Sequence, residues 1–249
     1  MSIFYLRRGI RVMMADANPR LVGAYQNLQR DARGVVNGLR SLAEEHREMM
    51  REEAAGMTNL AKIHFFDVRR QLNLSDPASL NGAAHFLFIL RTCFNGVYRV
   101  NRKGECNIPY GDPDMSTDLV REGELLELGA LLKRAEIRCC DFVEAVSGAR
   151  RGDVVYFDPP YPSDKTHGKA GAFVGYAADG FTLEDRKRLA VVLRDLDARG
   201  VRWTLSDAAT NGSASAYGLW RVTEMSVRRS VAARGDKRGH ATELLVSNW

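Results

Sequence analysis

The segment DVVYFDPPYPSD, Asp153 to Asp164, restricts the fold more than any other stretch of the chain. Val154, Val155, Tyr156 and Phe157 form a short continuous apolar run of β-branched and aromatic residues, the pattern of a strand covered on both faces. The run stops at Asp158, and Pro159, Pro160 and Pro162 follow almost at once. Proline fixes its own φ and pushes the residue before it toward extended geometry, so Asp158 and Pro159 are expected to be stiff and extended. A carboxylate at the C-terminal end of a central parallel strand sits where open α/β sheets bind ligands. The plainer reading is a strand followed by a proline-rich turn, with Asp158 as a helix cap or surface charge.

This layout suits transfer of a group to an aromatic exocyclic amine. Such an amine is a poor nucleophile because its lone pair is delocalised into the ring. The Asp158 carboxylate can accept one N–H and the stiffly held Pro159 carbonyl the other, which favours a more tetrahedral nitrogen. Tyr161 is placed to stack on the base. The catalysis is orientation plus electrostatics and requires no base with a shifted pKa before attack.

The rest of the chain reads as an α/β protein. Ile10 to Asp16 is a strand ending in an acid, and a helix begins with Asn18 as cap and Pro19 in the first turn. A polar helical stretch runs from about Gly34 to Asn59, with charges that read as a solvated face. An apolar helix ends at Asn95-Gly96, and VYRVNRKGECNIPYGD alternates about Lys103-Gly104 like a β-hairpin. Beyond Arg121 strands and helices alternate: GELLELGALLKRA, IRCC, the DPPY strand, a helix capped by Thr182 with Asp185 three residues on, then VRWTLSD, LWRVTEMSV and TELLVSNW. That alternation predicts a mostly parallel sheet, with residues 30–122 inserted as a separate helical lobe between catalytic segments 1–29 and 123–249.

With 249 residues the chain can bury a substantial core. Its formal charge of +5 suits a polyanionic partner. Cys93, Cys106, Cys139 and Cys140 show no CxxC spacing. They are read as reduced, mostly buried thiols of a cytoplasmic protein, with no metal site expected. No segment reaches the roughly 18 apolar residues of a membrane span. Arg7, Arg8 and Arg11 break the N-terminal apolar stretch, which excludes a signal peptide from that reading.

The segments ADANPRLVGAYQNL, FNGVYRVNRKGECNIPYG, CDFVEAV, DVVYFDPPYPSD with FVGYAADGFT, and ELLVSN together resemble the Dam-type DNA adenine methyltransferases. They occur in that family's order and span nearly the whole chain. The FNGVYRVNRKGE segment is specific to the family, whereas DPPY is shared with other amine methyltransferases. The resemblance implies a Rossmann-like methyltransferase sheet with an inserted helical target-recognition lobe carrying a β-hairpin. It implies S-adenosylmethionine as cofactor and double-stranded DNA as partner, with a GATC-like site. By the resemblance Asp158, Pro159 and Tyr161 are catalytic, and Asp158 also borders the cofactor. Asp16 bonds the cofactor's ribose hydroxyls, Asp141 and Phe142 line its adenine, and Tyr176 and Phe181 support the pocket. Phe94, Asn95, Arg99 and Lys103 are the implied DNA contacts. Phe94 would fill the gap left by a flipped base, Arg99 would fork onto guanine, and Lys103, with Arg102, would follow the phosphates. Arg228 to Gly239 is a second basic loop, read equally as a phosphate contact or a solvated loop.

The family's F-x-G-G-G cofactor loop has no counterpart in this sequence. The chain opens at MSIFYLRRGIRVMMAD, in the helix expected to follow that loop. A late start codon, a truncated relic and a piece supplied by a partner chain each account for this, and the expectation is weak S-adenosylmethionine binding by the chain as given. Two rival functions stand beside the favoured one. An amine methyltransferase of ribosomal RNA would share DPPY but lack the recognition hairpin. A DNA-binding remnant would keep the lobe without turnover.

Overall fold

The computed structural model describes residues 1–160, 181–209, 217–228 and 240–249. They fall into two compact units, Met1–Asp141 and Phe142–Trp249.

The first unit is helical around one short sheet. α1 (Ser2–Arg7) leads into β1 (Val12–Asp16), which pairs in parallel with β2 (Ala135–Cys139) in the register Asp16 to Cys139. Between them run α2 (Pro19–Ala54), α3 (Leu60–Leu74), α4 (Leu80–Thr92), a single 3-10 turn at Phe94–Gly96, and α5 (Glu122–Leu132). α2 starts where the sequence predicts: the Asn18 side chain accepts from the amides of Arg20 and Leu21, and Pro19 stands in the first turn, where its missing N–H costs nothing. Asp31 breaks the helix with φ −150° and ψ 76°, and its carboxylate then accepts from the Gly34 amide at 2.8 Å. The two halves of α2 are thus separately capped helices end to end. Leu28, Val35, Leu39 and Ala43 carry the buried stripe of α2 into a core shared with Phe65, Leu72, Phe88, Ile89 and Leu132. Polar residues of α2 also reach beyond this stripe. Gln29 donates to the carbonyls of Leu132 and Ala135 at 2.6 and 2.8 Å, which pins the turn between α5 and β2. Buried Asn27 donates to Ala78 O at 3.0 Å, ahead of α4.

The second unit holds α6 (Phe142–Ala145), β3 (Val154–Phe157), α7 (Leu183–Ala198), β4 (Arg202–Ala208), β5 (Arg221–Arg228) and β6 (His240–Ser247). Its strands lie in the order β3-β4-β6-β5. α7 begins with the capping box expected at Thr182 and Asp185. Trp203, Leu205, Leu193, Leu196 and Val246 fill the core. A half-buried polar knot lies beside it. Asp197 accepts from the indoles of Trp203 and Trp220 at 2.9 and 2.6 Å and from the Asn248 amide at 2.6 Å.

Three expectations are corrected here. The DPPY strand, β3, is not covered on both faces: Val154 is 62% exposed and Tyr156 39% exposed. Among the described residues β3 pairs only with β4, as the end strand of its sheet. Nor is the pairing mostly parallel. β1–β2 and β3–β4 are parallel, while β4–β6 and β5–β6 are antiparallel, because β6 returns beside both β4 and β5. The four cysteines form no disulfide and are not uniformly buried, since Cys139 is exposed and Cys140 half-buried.

Candidate active site and nucleic-acid interface

In the second unit the parallel register of β3 and β4 decides which side chains meet. Phe157 is level with Leu205, so the next pair along is Asp158 and Ser206. Side chains alternate between the faces of a sheet. Tyr156, Asp158 and Ser206 therefore share one face, while Phe157, Leu205 and Asp207 share the other, which is the core side. On the first face the Tyr156 hydroxyl donates to Ser206 Oγ at 3.1 Å, and Ser206 donates to Asp158 Oδ1 at 2.9 Å. Asp158 is otherwise exposed, and its Oδ2 has no hydrogen bond among the described residues.

On the opposite face Asp207 is 1% exposed yet fully partnered. The Arg186 guanidinium reaches both its oxygens at 3.1 Å, the Tyr217 hydroxyl donates at 2.8 Å, and the Ala208 amide donates at 2.8 Å. Burial, and then the Asp207 charge beside it, push the Tyr217 hydroxyl pKa up, so it remains a donor. This ion pair fixes the end of β4 from behind and, with it, Ser206. Phe142, at the start of α6, packs its ring 6.2 Å from that of Phe181 and lies 4.9 Å under the Arg188 guanidinium. Tyr161 and Tyr176 lie outside the described residues, as do residues 229–239 of the second basic loop.

In the first unit the strand ends carry the other predicted acids. Asp16 closes β1 and takes the Asn18 amide on Oδ1 at 2.7 Å, which sets its orientation. Its Oδ2 has no hydrogen bond among the described residues. The Asp16 carbonyl accepts from the Cys140 amide at 3.2 Å, and Asp141 follows directly. The parallel register thus places both acids at one end of this sheet.

The predicted hairpin forms as a tight excursion rather than two strands. A single bridge joins Val100 to Cys106, and Asn101 turns the chain by accepting from Gly104 N through its carbonyl and from Lys103 N and Glu105 N through its side chain. Tyr98, Val100, Cys106 and Ile108 face inward and are buried, which leaves Arg102, Lys103 and Glu105 outward and exposed. At its base Cys93 bridges Tyr110, Phe94 N donates to Pro109 O, and Gly111 N donates to Thr92 O. Phe94 projects from this base with 51% of its surface exposed. Asn95 and Gly96 both take left-handed backbone, at φ 59° and 64°, which is the turn chemistry the Asn-Gly pair predicts. Arg99 is half-buried and spends Nη2 on the Asn107 carbonyl at 3.2 Å, while its buried Nε has no partner among the described residues.

Sequence reasoning missed the supports behind this excursion. Asn73 of α3 exchanges two hydrogen bonds with the Cys106 backbone at 2.8 and 3.1 Å, and Arg69 donates to Ile108 O at 2.6 Å. Tyr110 at its base lies 3.1 Å from His46 Nε2. The other ring nitrogen of His46 meets His64 at 3.2 Å, and His64 Nε2 lies 3.5 Å from Glu45. Asn73, Arg69, His46, His64 and Glu45 stand outside the motif segments, and only Tyr110 lies within one. Only their polarity inside otherwise apolar helical stripes hints at a partner.

An exposed acid at a parallel strand end, followed by Pro159 and Pro160, and an exposed aromatic at the base of a basic turn suit an enzyme that modifies a base. The family model for the D12 class of N6 adenine-specific DNA methyltransferases matches residues 2–230. The chain belongs to this class. It is 31% identical to the type II methyltransferase M.MjaIII of Methanocaldococcus jannaschii over a 254-residue alignment, which covers 99% of this chain and 84% of that protein. It is 30% identical to the DNA adenine methylase of Vibrio cholerae over 246 residues, 98% of this chain and 82% of the methylase. The DNA N-6-adenine-methyltransferase of Escherichia phage P1 is 31% identical over 236 residues, 94% of this chain but 29% of that longer protein. As a D12-class enzyme the chain is a methyltransferase of adenine N6 in DNA, and the class implies S-adenosylmethionine as methyl donor. Among the described residues no helix is long and apolar enough to cross a membrane.

Proposed function

We propose that Asp158 and the Pro159 carbonyl receive the amino group of an adenine flipped out of duplex DNA. Asp158 accepts one N–H and orients the nitrogen lone pair, Pro159 accepts the other, and Tyr161 stacks on the base. The observation that carries this reading is the state of Asp158. It is exposed at the C-terminal end of a parallel strand, with one oxygen tied to Ser206 and the other open to a donor. Once the amine has been alkylated, the same carboxylate is the nearest acceptor for the proton it sheds.

The chain's residues fit S-adenosylmethionine at its nucleoside end. Asp16 offers an oriented carboxylate oxygen suited to a ribose diol, and Asp141 stands at the neighbouring strand end. Phe142 offers an aromatic face to the adenine. When bound, the cofactor supplies a methyl group already activated on a sulfonium, so the protein's task is alignment. Residues 30–122 form the target-recognition lobe of this reading, inserted between catalytic segments 1–29 and 123–249. Within it Phe94 fills the space left by the flipped base. Asn95 sets the turn that presents it, Arg99 addresses a guanine edge of a GATC-like site, and Lys103 contacts phosphate.

The test is Asp158→Ala. Methyl transfer to an adenine-containing duplex should nearly vanish while DNA affinity stays close to wild type, because the carboxylate serves the amine and not the phosphates. Retention of more than about a tenth of the rate would limit the contribution of Asp158 to under ~1.4 kcal/mol and remove it from the reaction.

A further inference from the structure

We propose that Ser206 is a positioning residue for methyl transfer, acting through Asp158 at the head of the one-way hydrogen-bond chain Tyr156 to Ser206 to Asp158. The inference rests on the reading of Asp158 as the acceptor of the substrate amine and adds what makes that acceptor directional.

A hydroxyl carries one proton. Ionised Asp158 can only accept, so Ser206 must donate its proton to Oδ1, at 2.9 Å. That leaves the Ser206 oxygen as acceptor for Tyr156, whose hydroxyl lies 3.1 Å away. Tyr156 therefore locks the rotation of the serine hydroxyl, and the serine locks the carboxylate. Ser206 itself is 7% exposed and sits within β4. Its neighbour Asp207 is clamped from the other face by Arg186 and Tyr217. The rigid part of this end of the sheet is β4, whereas Asp158 is exposed just past β3, the end strand among the described residues. The Ser206 bond carries that rigidity across to the acid. With Oδ1 occupied, Oδ2 is the oxygen left for an N–H of the substrate. An unanchored carboxylate would rotate among its rotamers and present either oxygen. Small misplacements of a group that acts by alignment are costly in rate.

Ser206→Ala, Tyr156→Phe and the double variant separate this role from a structural one, with Asp158→Ala as control. Ser206→Ala should lower kcat roughly tenfold, equivalent to about 1.4 kcal/mol, with KM for DNA and the melting temperature unchanged. Tyr156→Phe should lose less, and the double variant should be no worse than Ser206→Ala, because the tyrosine acts only through the serine. A crystal structure of Ser206→Ala should show the Asp158 carboxylate rotated or spread over several rotamers. Wild-type kcat in Ser206→Ala beside an inactive Asp158→Ala would overturn the role of Ser206 and leave that of Asp158 standing. So would an unmoved Asp158 carboxylate in the Ser206→Ala crystal. Full activity of Asp158→Ala would overturn both.

Discussion

Burial drives the pKa of His46 down to about 4 from its ordinary 6.5, and the neighbouring His64 acts in the same direction. His64 is lowered too, again by burial first, against an opposing pull from Glu45. Both rings are thus neutral at neutral pH, where they can pass hydrogen bonds between Glu45, His64, His46 and Tyr110. The folded state resists a proton that the unfolded chain accepts near pH 6.5. Stability from the neutral His46 ring is therefore complete above that pH and falls as the pH drops toward 4, by on the order of 3 kcal/mol for a group so fully enclosed. Melting temperatures measured from pH 7 to pH 4.5 should decline steeply in the wild type and less steeply in His46→Leu. Parallel profiles would show that His46 is not what titrates. Little of this was legible beforehand, because a histidine in a charged helical stretch reads as a surface residue until the facing helices are known. Asp158 and Asp16 were legible, since each ends an apolar run where a strand must end. Ser206 was not, because a serine within a strand gives no sign of which neighbour stands level with it.

At the scale of elements, α2 and α5 pack closely. A β-carbon built on Gly129 would stand 2.6 Å from Ala32 Cβ and 2.7 Å from the Leu28 carbonyl. The crossing lies at the break in α2 around Asp31, where Gln29 also reaches across to the end of α5. Gly129→Ala should push α5 outward at an overpacking cost of about 1–3 kcal/mol, read as a lowered urea midpoint with unchanged slope. A wild-type midpoint would mean that the two helices separate freely. Helix starts were readable from Asn18-Pro19 and from Thr182 with Asp185, because caps are local chemistry. α3 has no counterpart in the sequence reading, whose polar helical stretch stops at about Asn59, and its role as the rear support of the basic turn depends on Asn73 and Arg69, which periodicity cannot assign. The strand order was equally hidden: β3 could be recognised as a strand, but only pairing shows that it ends its sheet.

The whole chain carries a formal charge of +5, and Lys103 sits on the basic turn, with its side chain exposed and its backbone fixed by Asn101. A lysine so placed should act on any duplex alike through counterion release. Lys103→Ala should weaken specific and unrelated DNA about equally and reduce the slope of log affinity against log salt by about one. Anisotropy titrations over a range of salt concentrations read this directly, and a loss confined to one sequence would make Lys103 a base contact instead. The exposed strand end of the helical unit has a consequence for chemical probing. Cys139 is exposed and stands level with Asp16, and its thiol pKa is raised, first by partial desolvation and then by the Asp16 charge. The thiolate is the reactive form, so a maleimide should label Cys139 slowly at neutral pH and faster as the pH rises. Removing the charge in Asp16→Asn should speed labelling at any given pH. Peptide mass mapping distinguishes Cys139 from Cys140, and the rate at Cys139 becomes a gauge of the charge that its neighbouring acid carries.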